Sequence, residues 1–298
     1  MSFDNAYEGL NEEHGDDARW AYGTGFADEL SGVDRAFPST VDKADLAAYA
    51  LMLGDDALVL AQRTSEWCSR APELEEDVAL ANIALDLLGQ ARLLLTRAGE
   101  AGTRPSEAPS HVPDEDALAY FRTAEHFRNV RMVELVNGDF ADTIARLLLF
   151  SCQRLALFTR LSSSADPVLA AVAAKGVKEL SYHRDHAARW TVRLGDGTEE
   201  SRRRMIAALD RVWPYLDELF TPHPVEIRLA AQGVAVDPAS LKSEVDGVLD
   251  QVFAAATLTR PVVSRAPGGG REGSHTDVLT ELLAEMQVLA RALPEATW

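Results

Sequence analysis

Residues 78–95 are apolar on almost every side of a helical wheel, and a helix of that kind has to be enclosed by other protein or by lipid. Its exceptions are ordered. Asn82, Asp86, Gly89 and Gln90 fall at three- and four-residue steps and draw one polar stripe along an otherwise apolar cylinder. No uncharged apolar run reaches the length of about 18 residues that a bilayer span needs, so protein is the expected surrounding. The rest of the chain should therefore build a helical bundle around this segment.

The partners are legible. Leu46, Tyr49, Leu53, Leu60 and Trp67 recur at helical steps after Asp45, in a helix that ends before Pro72. A loop rich in Gly, Pro and Ser at 99–113 separates this first hairpin from shorter helices over 114–134. The turn Asn137-Gly138-Asp139 offers Asp139 as the N-cap of a helix over 140–161, with Ile144, Leu147, Leu148, Phe150, Leu155 and Phe158 facing inward. Asp166-Pro167 opens a further long helix that continues to about residue 194, before Gly195. Two long helical hairpins joined by a longer connection make a four-helix bundle with one crossover. Additional helices are expected over 199–219, 238–257 and 276–292, while 224–236 is ambiguous and no strand-period stretch exceeds a few residues. The fold class is all-α. Residues 1–40, acidic with scattered Trp20, Tyr22 and Phe26, read as a mobile extension able to dock, which leaves 41–298 as the helical domain.

Composition narrows the function. A chain of 298 residues that is 47% hydrophobic can bury a sizeable core. Its formal charge of −18 argues against a nucleic-acid binder, which needs clustered Lys and Arg. Cys68 and Cys152 lie in apolar helical patterns, so a disulfide framework is not expected and a reducing cytoplasm fits. The acidic N-terminus carries no export signal.

A carboxylate-bridged diiron bundle needs an acid on each of two helices and a Glu-x-x-His pair on each of the other two, because that spacing puts both ligands on one inward face. The textual match Glu272 to His275 adjoins Gly268-Gly269-Gly270, in a loop where nothing fixes a helical face. Asp86 is followed three residues later by Gly89, which has no ligating side chain. Glu179 is followed by Tyr182 and then His183, with His186 beyond, so spacing alone leaves a half-site open. The reading adopted is that Asp56, Asp86, Gln90, Glu179 and His183 form a hydrogen-bonded polar network in the place of a metal centre. Two basic clusters stand out against the acidic balance. Arg202-Arg203-Arg204 is expected to pair with Glu199 and Glu200, whereas His126, Arg128 and Arg131, interleaved with Phe127 and Asn129, suit a ligand or a partner.

Five ordered segments carry a resemblance: 53–92 (LGDDALVLAQRTSEWCSRAPELEEDVALANIALDLLGQAR), NGDFADTIAR at 137–146, KELSYHRDHAARW at 178–190, GVAVDP at 233–238 and the C-terminal 274–298. Over roughly residues 45–298 the chain resembles the C subunits of phenylacetyl-CoA epoxidases. The resemblance implies a ferritin-like fold and a structural, non-catalytic role in aerobic phenylacetate breakdown, with no cofactor in this chain. It places diiron in a catalytic A subunit that forms a heterodimer with C, adds a B subunit, and brings flavin, an iron-sulfur cluster and NADPH through a reductase. It also makes His126, Phe127, Arg128, Asn129 and Arg228 candidates for the border of the coenzyme A site. The alternatives are a diiron oxygenase using Asp86, Glu179 and His183 itself, and a small-molecule-binding helical protein without a partner.

Overall fold

A computed structural model describes residues 30–296. Four long helices form the bundle: α1 (Lys43–Ser65), α2 (Leu74–Glu100), α4 (Phe140–Leu161) and α5 (Pro167–Gly195), with the short α3 (Asp114–Tyr120) in the crossover. α1 packs along α2, α4 packs along α5, and the two hairpins meet through α2 and α5. No strand occurs among the described residues, which is the all-α, ferritin-like arrangement expected.

Local chemistry sets the helix starts. Asp42 accepts a hydrogen bond from the Ala44 amide at 2.8 Å, and Asp166 accepts one from Leu169 at 2.9 Å. Asp139 and Asp142 form a reciprocal capping box at the head of α4, as the Asn-Gly-Asp turn predicts. Gly138, at φ +59°, supplies the left-handed turn, and a Cβ there would strike the Asp142 carboxyl.

Around the bundle, α6 (Glu199–Val212) and α8 (Lys242–Ala255) pack on α4, α7 (Pro224–Ala231) packs on α1, and α9 (Asp277–Ala292) packs on α3. The expected helix over 199–219 is broken: Pro214 has no N–H for the Asp210 carbonyl, so Trp213–Phe220 tightens into a 3-10 helix. The ambiguous 224–236 begins as helix α7, capped by His223 and Glu226.

Two expectations require correction. α2 is not enclosed on every side, because Leu74, Val78, Leu85 and Leu88 are exposed, Leu85 to 64%. α1, α3 and α5 pack on α2, yet these four side chains stay exposed among the described residues. By length and mean hydropathy, 1.5 over the best window, α2 alone among the described helices passes the test for a membrane span. Packing on α1, α3 and α5 accounts for its inner face. Second, the expected extension 1–40 is in part docked. Residues 1–29 lie outside the described residues, but Leu30 is buried, and Arg97 sits 4.1 Å above the Phe37 ring while donating to the Arg35 carbonyl at 2.9 Å.

Candidate functional site

The bundle interior separates the five residues expected to share one network. Asp56, 1% exposed on α1, belongs to a different cluster from the other four. Its carboxylate accepts from Arg154 Nη2 of α4 at 2.8 Å, from Arg271 Nη1 and Nη2 at 3.1 and 2.8 Å, and from the Val130 amide at 2.8 Å. Asp55 beside it accepts both Nη1 and Nη2 of Arg122, at 3.0 and 2.5 Å. Glu134, also buried, accepts from Asn129, from the Thr276 amide and hydroxyl, and pairs with His275 Nδ1 at 2.5 Å. His275 thus serves Glu134 and the Phe127 carbonyl, and makes no ligand pair with Glu272.

Burial works against the charge of this cluster. It pushes the Arg154 guanidinium down, with Asp56 opposing, and raises the Glu226 and Glu218 carboxyls nearby. For Arg271, desolvation is outweighed by Asp56 and Glu226, and its pKa is raised.

The other four residues lie along the α2–α5 seam as two separate pairs. Gln90 Nε2 donates to Glu179 Oε2 at 2.8 Å, and His183 Nε2 lies 2.9 Å from Asp86 Oδ2. One rung on, His186 Nε2 and Glu76 Oε2 face each other at 3.3 Å without the alignment of a hydrogen bond. Burial pushes His186 down and Glu76 up, so both are driven toward their neutral forms. The polar stripe is not buried throughout: Asn82 is exposed and the Asp86 side chain is 34% exposed, because the stripe runs along the edge of the seam.

These residues do not fit a dinuclear metal site. The sole carboxylate on α4 is Asp142, which is taken up by the Asp139 amide at 2.9 Å and Arg211 at 2.6 Å. Two guanidiniums already occupy Asp56. Against Gly89 a Cβ would meet nothing, so that position faces open space rather than the core. Among the described residues no group of three or more His, Cys, Asp or Glu side chains could hold a metal ion. Sequence reading missed Arg154 and Arg271 as the partners of Asp56. Arg154 was signalled by its place in the apolar run 147–158, where a lone cation needs a buried acid.

The basic residues gather elsewhere. A cleft of about 790 Å³ opens between the 103–109 loop, the 121–128 segment and the end of α9, lined by Arg104, Arg122, His126, Arg128, Arg291 and Phe121 among others. His126 and Arg128 of the proposed border line it. Phe127 and Asn129 do not, being fully buried beneath it. Arg228 lies apart and is held by Asp45 through two hydrogen bonds of 2.6 and 2.7 Å. Arg203 and Arg204 pair with Glu200, as helical spacing predicts, while Arg202 bonds to the Gly195 and Thr257 carbonyls.

Comparison with known proteins agrees with the fold. The family model described as phenylacetic acid catabolic protein matches residues 33–298. The C subunit of the 1,2-phenylacetyl-CoA epoxidase of Escherichia coli (strain K12) is 46% identical over 253 residues, spanning 85% of this chain and 99% of the relative. With its bundle, its crossover and this match over nearly the whole described chain, the protein belongs to the phenylacetic acid catabolic protein family.

Proposed function

We propose that this chain is the non-catalytic, structural subunit of a cytoplasmic, multicomponent oxygenase that epoxidises phenylacetyl-CoA. The subunit identity of the relative supports the assignment to such a complex. The observation that carries the non-catalytic role is the arginine-filled interior: Asp56, a buried acid of α1, is neutralised by Arg154 and Arg271 instead of being left for a metal. The chain then holds no cofactor. Diiron belongs to a catalytic A subunit, and flavin, an iron-sulfur cluster and NADPH arrive through a reductase.

The exposed face of α2 supports the heterodimer. Leu74, Val78, Leu85 and Leu88 form an apolar stripe on a helix whose opposite face is already packed. Obligate interfaces are large and apolar, and a second bundle clamped there braces the catalytic helices while leaving their other faces free for substrate and for electron delivery. Size exclusion of this chain alone and co-expressed with a catalytic A subunit tests the reading. The expected result is self-association alone and a defined heterodimer together, with epoxide formed from phenylacetyl-CoA only when both are present. A soluble monomer indifferent to the A subunit would overturn it.

A further inference from the structure

We propose that the acidic, aromatic segment of this chain ahead of Leu30 folds back into the basic cleft between the 103–109 loop and the end of α9, and caps it. Residues 1–29 precede the span that the family shares, so their role has to come from this chain itself. Charge of one sign dominates them: eight acids stand against Arg19 alone, and Trp20, Tyr22 and Phe26 are set between Asp16-Asp17 and Asp28-Glu29. A surface that holds such a segment has to offer cations beside flat apolar groups. In a chain of net charge −18, the cleft of about 790 Å³ does so, with its arginines beside Phe121 and three prolines.

Two of those arginines are open to carboxylates. Arg122 is already paired with Asp55, and Arg104 with Asp114. Arg128 gives Nη1 to the Glu125 and Phe127 carbonyls, and Arg291 gives Nε and Nη2 to the Tyr120 and Arg122 carbonyls, so neither meets a carboxylate among the described residues. The carbonyls hold both guanidiniums in place before an acid arrives, which lowers the ordering cost of a charge-assisted pair. Asp16 and Asp17 then pair with Arg128 and Arg291, while the Trp20 and Tyr22 rings cover Phe121 and the prolines.

The described chain begins beside the cleft. Leu30 is buried, Arg35 Nη1 donates to Glu100 at 2.6 Å, and Arg97 holds the Arg35 carbonyl at 2.9 Å. Thr103 of the cleft wall follows Glu100 by three residues. Ten residues ahead of Leu30 reach at most about 35 Å, which spans a cleft of this size. Tethering supplies an effective concentration on the order of millimolar, so a contact with a dissociation constant of about 1 mM is already half-populated. An anionic ligand or an acidic partner surface enters the cleft only by displacing the segment.

Disulfide trapping tests the contact in the full chain, held in its heterodimer where it requires one. In a Cys68→Ser background, Thr24→Cys is combined with Ser106→Cys, exposed at the cleft, or with Glu199→Cys, exposed beyond the far end of α5, and the chain is oxidised in a glutathione buffer. Peptide mapping identifies the joined positions. A link between positions 24 and 106 is expected to form about tenfold faster than one between 24 and 199. Salt should slow it by screening the pairs. Asp16→Asn with Asp17→Asn should slow it about threefold, and Trp20→Ala with Tyr22→Ala about fivefold. Both pairs lie outside the bundle and leave its thermal melt unchanged. Arg128→Ala with Arg291→Ala should give the same loss from the side of the cleft, provided that its melt shows it folded. Equal rates at 106 and 199 overturn the proposal, as does a link at 106 that salt and the extension variants leave unchanged. A link joining two copies of the chain overturns it as well, since it places the segment on a neighbour.

Discussion

Asp56 shows how one residue type can be read correctly as buried and polar yet placed in the wrong company. Its position on α1 faces the interior as the helical spacing requires, but the charge it meets comes from Arg154, 98 residues away, and Arg271, 215 residues away. No local pattern encodes such long-range partners. Removing one member leaves a buried charge uncompensated, so Asp56→Ala should cost about 3–5 kcal/mol in urea unfolding; a loss below about 1 kcal/mol would show that the cluster relaxes into water. The thiols give a second residue-level test. Burial pushes Cys152 up to about 12, whereas Cys68 is exposed. Maleimide labelling of the native chain should modify Cys68 quickly and Cys152 only on unfolding. Equal labelling of both would contradict the packing of α4.

At the scale of elements, the α2–α5 seam carries a pH-sensitive pair. Desolvation lowers His186 below its ordinary 6.5, with neighbouring His183 adding to the shift and Asp185 opposing it. A depressed imidazole contributes stability that is present above 6.5 and lost as pH falls through its folded value, because protons bind the unfolded chain first. Glu76, raised by burial, acts in the opposite sense, its contribution being lost as pH rises from 4.5. The melting temperature should fall between about pH 7.5 and about pH 5.5, and His186→Gln should flatten that fall; an identical pH profile in the variant would remove His186 from the account. Packing is also close where α5 meets α4, at Gly176, where a Cβ would lie 2.6 Å from the Phe158 ring. Gly176→Ala should therefore destabilise by about 1–3 kcal/mol in the same assay.

The bundle helices themselves were readable from sequence, since caps such as Asp139 and Asp166 and the apolar spacing of α4 are local signals. The burial of α2 was not, because an apolar surface reserved for another chain has the same composition as one reserved for the core. The site residues were legible as types and positions. Gln90 with Glu179 and Asp86 with His183 pair across the seam, but their separation from Asp56 depends on how two hairpins are set against each other.

For the whole molecule, the apolar stripe of α2 and the metal-poor interior belong to one account, in which this bundle supports another. Leu85→Glu with Leu88→Glu should abolish co-purification with the A subunit while changing the stability of the isolated fold by no more than about 0.5 kcal/mol, since both side chains are exposed there. Retained assembly would move the interface elsewhere. The central claim is that this interior cannot grip iron, and it is tested most directly by loading the assembled heterodimer with ferrous iron, separating the chains without denaturing them and measuring the metal on each. The account predicts iron on the catalytic chain and essentially none on this one; a stoichiometric dinuclear iron centre recovered with this chain would contradict it.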